Sequence, residues 1–378
     1  MAFGKSTIAG CALVKKLKRI LVIATRQIGD VLLTTPLIAA ARQLWPDARI
    51  EVLGFSGTLG MLNGNAQVDA IIESPPRLGW RGFVRLVQKL WRRYDLALIT
   101  QPGDRAHLMG WISSSCRSGL LPEHESSNWW KRLLLRHVVQ SSGDRSGTHV
   151  VNEKLALLAP WMETSSMAPQ VMVPSGAPLP DFLSKRLRSG FIVIHTPSMW
   201  SYKQWPLAHY RQLIAALLSR GHQIVLSGGP GEQDRVCVES MLDLGTPPTL
   251  INACGELDFN QLVTLFERAS LYIGPDTSVS HLAAASKLTT LAIFGPTDPR
   301  RWAPWPGRQQ AQIIFERSSA AQTVGNVTVM QGGLGCVPCS RAGCDDHRQS
   351  RSDCLIAIKP EQVMEQALRL LDTSSPII

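Results

Sequence analysis

The 378-residue chain is longer than one ordinary domain and fits two domains of average size. Its 44% hydrophobic and 18% charged residues allow a sizeable core and exclude wholesale disorder. Lys and Arg outnumber Asp and Glu by 39 to 29, which gives a net charge of +10 and favours an acidic partner such as nucleic acid, an anionic membrane or a phosphorylated substrate.

Residues 1–18 superficially resemble a secretion signal, but the apolar stretch is short. It runs into Lys15, Lys16 and Lys18 instead of a small-residue cleavage site. We therefore expect this segment to be a leader that precedes the first strand. No window of the sequence approaches the roughly 20 apolar residues that a helix needs to span a bilayer. The protein is expected to be cytoplasmic, either soluble or peripheral to a membrane.

The N-terminal half has the pattern of a β-α-β unit. A continuous apolar run at residues 19–25 predicts a strand buried on both faces, and the loop 26–30 follows it. Residues 31–44 then predict a helix. Such a unit implies parallel strands with a right-handed crossover. Further predicted elements are strands at residues 49–54 and 96–100 and an amphipathic segment at residues 80–94.

The same alternation restarts in the C-terminal half, after a stretch that contains Pro, Gly and Ser. The predicted strands are 191–195, 223–227, 271–273 and 290–294, and the predicted helices are 206–220, 260–269 and 278–286. Two consecutive α/β halves predict two Rossmann-like, parallel-sheet domains that face each other across a cleft. The expected divisions are a leader (1–18), an N-terminal Rossmann-like domain (19–175), a linker (176–190), a C-terminal Rossmann-like domain (191–358) with a Cys-rich loop (332–354), and a C-terminal helix and tail (359–378).

Ligands of such sheets bind beyond the carboxyl ends of the strands, and the segment 274–285 lies at such an end. A short strand stops at Gly274-Pro275, and a helix begins after Asp276, Thr277 and Ser278. Free backbone N–H groups at a helix start attract anions, the two hydroxyls add donors, and His281 lies one turn on. The segment therefore predicts phosphate binding. Ordinary helix capping by Asp276, with His281 a partly buried histidine, is the alternative.

A second segment, 195–206, also follows a strand and precedes a helix that begins near Pro206, a residue favoured in the first turn. Lys203 is placed where it could meet a diphosphate, and Ser198 could hydrogen-bond to the same group. A solvated surface lysine is the alternative. Two phosphate-competent loops in one domain favour a nucleotide site.

Five motifs in this order resemble a known family, the ADP-heptose:lipopolysaccharide heptosyltransferases of glycosyltransferase family nine, and in particular a heptosyltransferase III-like branch. The resemblance covers nearly the whole chain. The motifs are Ile28-Gly29-Asp30 through Thr35-Pro36, the loop Lys203 to Trp205-Pro206, Gly228-Gly229 to Glu232, Asp276-Thr277 to Ala285, and Phe294-Gly295-Pro296-Thr297-Asp298-Pro299. This resemblance implies a GT-B fold and inverting transfer of heptose from ADP-L-glycero-D-manno-heptose to the lipopolysaccharide inner core.

The resemblance also implies roles for individual residues. Ser198, Lys203, Thr277 and Ser278 would bind the diphosphate with Asp276 and His281 nearby, while Glu232 would contact the ribose and Leu257 the adenine. Asp30 would be the catalytic base that deprotonates the acceptor hydroxyl. Lys203 and the helix start at Thr277 would stabilise the negative charge that develops on ADP. Enzymes of this kind generally need no divalent metal.

The chain departs from the family pattern at two of these sites. Ser278 stands where the family usually has Gly, and Ser tolerates a positive φ poorly. The loop that begins at His195 lacks the Pro-Gly pair common there. Asp30 also has an alternative role, that of a capping residue at the start of the helix predicted from Val31.

Two segments of the N-terminal half mix Trp with Arg and Lys. Residues 80–94 place their aromatic and aliphatic side chains at helical spacing with basic side chains between them, and residues 128–139 repeat the mixture. Basic amphipathic helices with Trp suit an anionic membrane or a phosphorylated lipid. A core-facing helix with a solvated basic side is the alternative. We expect an ADP-heptose donor, a lipid A-core oligosaccharide acceptor and the inner-membrane surface as partners.

Four cysteines fall within one short segment with spacings of two, four and nine residues: Cys336, Cys339, Cys344 and Cys354. Four thiolates in a Gly- and Pro-containing loop could hold a structural zinc or iron. Reduced thiols or a disulfide are the alternatives.

Other functions remain open at this point. The chain could use a different ADP- or UDP-sugar, modify a protein acceptor, or be a nucleotide-sugar epimerase. A non-catalytic nucleotide-binding or regulatory Rossmann-like protein is a different class of candidate. The charge also permits a nucleic-acid partner, but no recognised nucleic-acid motif is present, so none is expected.

Overall fold

The computed structural model describes residues 16–122, 126–141, 147–163, 168–243, 247–308 and 315–374. Residues 1–15 of the expected leader and 375–378 of the expected tail lie outside this description. The chain divides into two compact units, Met1–Met172 (unit 1) and Val173–Ile378 (unit 2). The expected linker, 176–190, groups with unit 2. Among the described residues, no helix has the length and apolar character needed to cross a bilayer.

Unit 1 is built on a six-stranded sheet in the order β3-β2-β1-β4-β5-β6, in which every neighbouring pair is parallel. The β1 strand is apolar along its length and almost wholly buried, as its continuous apolar sequence requires. The order reverses direction between β1 and β4, which makes the carboxyl ends of these two strands the topological switch point. The strands are β1 Arg19–Ala24, β2 Arg49–Phe55, β3 Ala70–Ser74, β4 Leu96–Ile99, β5 Arg117–Pro122 and β6 His137–Ser141.

Six α-helices belong to the described part of unit 1: α1 Ile28–Leu32, α2 Thr35–Leu44, α3 Trp80–Leu90, α4 Asp104–Ser113, α5 Trp129–Leu134 and α6 Val150–Leu155. The single helix predicted for residues 31–44 is in fact two, α1 and α2. Pro36 lies in the first turn of α2, where its missing N–H is tolerated. The hydroxyls of Thr34 and Thr35 donate to the carbonyls of Asp30 and Leu32, so side chains replace backbone donors at the break.

The prediction of a basic amphipathic helix over residues 128–139 was wrong in its extent. The helix α5 ends at Leu134, and the chain then enters β6 at His137. Val138 pairs with Gly119 and Val139 with Leu120 of β5. Two consecutive β-branched residues beside an available strand favour a parallel ladder over continued helix.

Unit 2 contains a seven-stranded sheet in the order β12-β13-β11-β10-β7-β8-β9. All neighbouring pairs are parallel except β12 with β13 at one edge. The order reverses between β7 and β10, which is the switch point of this sheet. The strands are β7 Ile192–His195, β8 Ile224–Ser227, β9 Leu250–Asn252, β10 Leu271–Pro275, β11 Thr290–Phe294, β12 Ala321–Val324 and β13 Val327–Gln331.

The described α-helices of unit 2 are α7 Asp181–Ser184, α8 Leu207–Ser219, α9 Glu232–Leu242, α10 Phe259–Arg268, α11 Ser278–Ala285, α12 Pro299–Trp302, α13 Asp353–Ala357 and α14 Pro360–Ser374. The core between α8, α14 and the central strands is fully buried and includes Trp205, Tyr210, Leu213 and Val363. Both units are therefore α/β with parallel-dominated sheets of Rossmann type, which confirms the predicted fold class.

Candidate functional site

The best-defined polar cluster lies at the switch point of unit 2, where the loops after β7 and β10 meet. The loop after β7 is anchored by Trp205, whose side chain is fully buried. The Trp205 ring packs edge-on to Tyr210 with centroids 4.6 Å apart, and its Nε1 donates to the carbonyl of Ile358 at 3.0 Å. Gln204 Nε2 donates to the carbonyl of Thr196 at 2.8 Å. These contacts hold the short 3-10 helix Ser201–Lys203 in place.

Lys203 and Asp276 form the centre of this cluster. Lys203 Nζ lies 2.6 Å from Asp276 Oδ2, and Thr297 Oγ1 donates to the same oxygen at 2.7 Å. Burial alone would raise the pKa of Asp276, but the Lys203 ammonium and the hydrogen bonds from Lys203 and Thr297 lower it below its usual value. The carboxylate is therefore ionised and fixes the ammonium, which remains 22% exposed. A cation that is held in position at the carboxyl ends of parallel strands is suited to binding an anionic ligand.

The N-terminus of α11 lies directly after Asp276. Thr277 is its N-cap residue, and no side chain caps the helix by a hydrogen bond. The alternative in which Asp276 serves as the cap is therefore wrong, because its carboxylate binds Lys203 and Thr297 instead. Ser278 begins the helix and is not among the residues with positive φ. The exchange of Gly for Ser thus costs no backbone strain. The first turn, whose N–H groups have no partner within the helix, begins two residues after Asp276.

The other predicted donor-site residues are placed less closely together. His281 is buried in α11 and its charge lowers the pKa of Asp276, so the two side chains are neighbours. Ser198 is buried in the β7 loop, and its hydroxyl donates to the carbonyl of Trp200. Glu232 is exposed at the start of α9, after β8, and Leu257 is half-buried in the loop after β9. All four follow strands of the same sheet.

The predicted base, Asp30, lies within unit 1 in the loop region that follows β1. It occupies the first turn of α1, whose N-cap residue is Gln27. Asp30 is therefore not the cap of the following helix, which was the alternative interpretation. Its carboxylate Oδ1 lies 3.8 Å from the Nζ of Lys154, and its side chain is 13% exposed. A carboxylate placed at the carboxyl end of β1, beside the switch point of its sheet, is available to a ligand.

Sequence reasoning missed two residues that contact the predicted site residues: Thr297, which binds Asp276, and Lys154, which binds Asp30. Thr297 belongs to the Phe294–Pro299 motif, which was recognised without a role for its hydroxyl. Lys154 lies 124 residues from Asp30 in sequence, in a helix that carried no recognised motif. No spacing signal could have paired either residue with its partner, because both contacts join elements that are distant along the chain.

The four clustered cysteines are all free thiols. Burial, and then the neighbouring Cys339, Cys336 and Cys344, raise the pKa of Cys354 to about 11, so its thiol keeps its proton at neutral pH. Within the described residues no group of three or more His, Cys, Asp or Glu side chains is arranged to hold a metal ion. The structure therefore gives no support to the zinc or iron site that the cysteine spacing allows.

Comparisons with known proteins identify the family of this chain. The sequence profile of glycosyltransferase family 9 (heptosyltransferase) matches residues 83–332. Lipopolysaccharide heptosyltransferase 3 of Escherichia coli is 28% identical over 293 residues, which cover 73% of this chain and 83% of that protein. Lipooligosaccharide heptosyltransferase 2 of Haemophilus ducreyi is 24% identical over 384 residues, 93% of this chain and 99% of that protein.

A solved structure shares the fold over nearly the same extent. The structure of E. coli ADP-heptose LPS heptosyltransferase II superposes with a TM-score of 0.69 at 20% identity, covering 94% of this chain and 99% of that chain. The match extends through both units.

Proposed function

Because the chain belongs to glycosyltransferase family 9, the heptosyltransferases, we propose that it transfers heptose from ADP-L-glycero-D-manno-heptose to a lipopolysaccharide inner core. The observation that carries this proposal is the Lys203–Asp276 pair, held beside the uncapped N-terminus of α11 at the switch point of unit 2. Such a cation and helix start together suit a diphosphate. Similarity to lipopolysaccharide heptosyltransferase 3 supports the core acceptor and a heptosyltransferase III-like branch.

In this proposal unit 2 binds the donor. Lys203, Ser198 and the first-turn residues Thr277 and Ser278 hold the diphosphate, with Asp276 and His281 beside it. Glu232 contacts the ribose and Leu257 contacts the adenine. Glu232 follows strand β8 and Leu257 follows strand β9, so both lie beyond the carboxyl ends of strands in the same sheet.

Unit 1 binds the acceptor and supplies the base. Asp30 takes the proton of the acceptor hydroxyl as that oxygen forms a bond to the anomeric carbon of the heptose. The bond from this carbon to the ADP oxygen breaks on the opposite side, so the configuration is inverted. Lys203 and the α11 N–H groups stabilise the negative charge that passes to ADP. These fixed donors take the place of a divalent cation, so no metal is required for transfer.

The proposed reaction is tested by incubating the purified chain with ADP-heptose and a lipid A-core acceptor in the presence of a chelator. We expect the acceptor mass to increase by one heptose residue and ADP to appear in equal amount. Intact and delipidated acceptors are compared in parallel, and the Asp30→Asn protein is the negative control. Transfer that stops with chelator and returns with a divalent cation would contradict the metal-independent mechanism.

The same assay separates the alternative functions. If transfer occurs only from another ADP- or UDP-sugar, that sugar nucleotide is the donor and not ADP-heptose. If transfer occurs only to a protein, the acceptor is a protein and not the lipopolysaccharide core. ADP binding without transfer to any acceptor would favour a non-catalytic nucleotide-binding protein.

We also propose that unit 1 lies on the inner face of the inner membrane through a surface formed by α3, α4 and α5, which pack side by side. This basic apolar surface carries most of the exposed large apolar side chains described in unit 1. Trp80 is 77% exposed, Trp129 66% and Leu133 74%. The remaining members are Trp91, Leu108 and Trp111. Exposed Trp side chains suit the headgroup region of a bilayer.

The charge of the basic apolar surface favours anionic lipid. Its exposed cations are Arg81, Arg85, Lys89, Arg92, Arg93, Arg132 and Arg136. Among the residues of this stretch that the structure describes (81–122 and 126–136), the exposed carboxylates are Asp95 and Asp104, and Asp104 is paired with Lys131 at 2.5 Å. Lys or Arg near an anionic surface contributes roughly 1 kcal/mol each, and salt screens the attraction.

Replacement of Arg85, Lys89, Arg92 and Arg93 with Gln should therefore weaken sedimentation with anionic vesicles, most strongly at low salt. Transfer to a short soluble acceptor should persist, because Asp30 and Lys203 are untouched. The matched control replaces four exposed cations of unit 2 (Lys185, Arg220, Arg268 and Arg369) with Gln and removes the same charge. Equal vesicle binding by both quadruple variants would show that only net charge matters and would remove the proposed surface.

A further inference from the structure

The helix that carries Asp30 is anchored by a buried lysine from a distant part of unit 1. Lys154 is 1% exposed and lies in α6. Its Nζ donates to the carbonyl oxygen of Asp30 at 2.6 Å and to Thr34 Oγ1 at 3.0 Å, while Thr34 Oγ1 donates to the same Asp30 carbonyl at 2.7 Å. The α1 helix has five residues, too few for stability without tertiary contacts. Lys154 supplies such a contact at Asp30, in the first turn of the helix.

The charge of Lys154 is harder to explain by structure alone. An ammonium that is removed from water is destabilised by several kcal/mol unless a partner compensates, and a neutral amide could donate the same two hydrogen bonds. The Asp30 carboxylate, 3.8 Å away, is the group that gains from a positive charge at this position. The other charged neighbours are Glu153 on the same helix and Arg26 in the loop before α1.

We propose that Lys154 is a positioning residue for transfer: it holds the backbone of Asp30 in place, and its positive charge attracts the Asp30 carboxylate and so fixes the orientation of the base. This inference rests on the proposed function, because it assumes that Asp30 accepts the proton of the acceptor. Lys154 itself does not contact the reacting atoms in this scheme. It acts through the carbonyl and the carboxylate of one residue.

The protonation state of Lys154 makes the role measurable. Burial lowers the pKa of Lys154 to about 8, while Asp30 and Glu153 act in the opposite direction and Arg26 adds to the lowering. Two other titratable or charged residues on these elements have partners of their own. His149 accepts a hydrogen bond through Nδ1 from a backbone N–H of its own helix, and Arg42 of helix α2, which packs against α6, forms an ion pair with Asp69. Below about pH 8 the ammonium is charged and its hydrogen bonds to the Asp30 carbonyl and Thr34 are charge-assisted, whereas above that pH the charge is lost and these bonds weaken. The turnover number kcat should therefore fall as the pH rises through about 8.

The experiment compares Lys154→Arg and Lys154→Met in the full-length protein, with kcat and KM measured from pH 6 to 10. The guanidinium of Arg does not titrate in this range, so the Arg variant should stay active and lose the fall in kcat near pH 8. The Met variant should lose about 10²-fold in kcat below about pH 8, as expected when a catalytic group is misplaced by about 1 Å. Its deficit should shrink above that pH, where the wild type loses the charge of Lys154. ADP affinity, measured by calorimetry, should not change in either variant, because the donor loops belong to unit 2.

The outcomes separate this inference from the proposed function. A Met variant with wild-type kcat, or an Arg variant that keeps the fall in kcat near pH 8, overturns the role of Lys154. If the Met variant does not fold by circular dichroism, the pH profile of the Arg variant decides. If the Asp30→Asn protein is active, the assignment of Asp30 as the base is overturned. If the Asp30→Asn protein is inactive while the Lys154 variants keep wild-type kcat, Asp30 remains the base and only the positioning role of Lys154 is removed.

Discussion

Replacement of Asp30 by Asn is expected to lower kcat for heptose transfer by about 10²- to 10⁴-fold, the range typical of a lost general base. Asn has the same shape as Asp but cannot accept the acceptor proton. The contacts that hold α1 should persist, because Lys154 and Thr34 bind the backbone carbonyl of Asp30 and not its carboxylate alone. Single-turnover transfer assays with saturating ADP-heptose give the rate directly.

Binding of ADP to the Asp30→Asn protein should remain as in the wild type, since the Lys203–Asp276 pair is built from unit 2 alone. Asp47→Asn is a suitable control, because Asp47 is exposed in the same unit and away from α1. A calorimetric titration that shows weakened ADP binding by the Asp30→Asn protein would make Asp30 a donor contact or a structural residue.

Replacement of Lys203 by Met is expected to weaken ADP binding and slow transfer together, because one ammonium serves both the bound diphosphate and the departing ADP. A hydrogen bond to a charged group contributes about 1.5–3 kcal/mol, which corresponds to about 10- to 100-fold in affinity. The loss in kcat/KM should reach about 10²-fold or more, as for other donors that stabilise developing negative charge. Calorimetry and steady-state kinetics measure the two effects.

A second variant separates binding from stability. Lys203→Met leaves the buried Asp276 carboxylate without its cation, which destabilises the fold. Lys203→Met combined with Asp276→Asn removes both charges, so its thermal unfolding temperature should recover while its activity stays low. The control Lys185→Met removes an exposed lysine of the same unit, which is paired with Asp181 on the surface. Normal ADP affinity and kinetics in the Lys203→Met protein would refute the donor-site assignment.

The sequence by itself determined much of the architecture. The continuous apolar run at β1 predicted a strand buried on both faces, and strands were also predicted at β7 and β11. All three lie between two parallel neighbours in their sheets. The helix predicted at 206–220 is observed at Leu207–Ser219, since Pro206 defines its start. Local signals sufficed here, because burial pattern and turn residues act over a few positions.

Local signals failed where two conformations compete. Residues 31–44 have helical periodicity throughout, yet side-chain hydroxyls and Pro36 divide them into α1 and α2. Residues 135–139 continue an amphipathic pattern, but pairing with β5 gives a strand instead. In both segments a partner outside the local window decided the conformation.

Only the tertiary structure decided which polar groups meet. Lys203 and Asp276 are 73 residues apart, and they touch because β7 lies next to β10 although β8 and β9 come between them in the chain. Lys154 reaches Asp30 across 124 residues for the same kind of reason. Periodicity and spacing report burial and local backbone conformation, whereas ion pairs at a switch point depend on the strand order, which no single segment of the sequence contains.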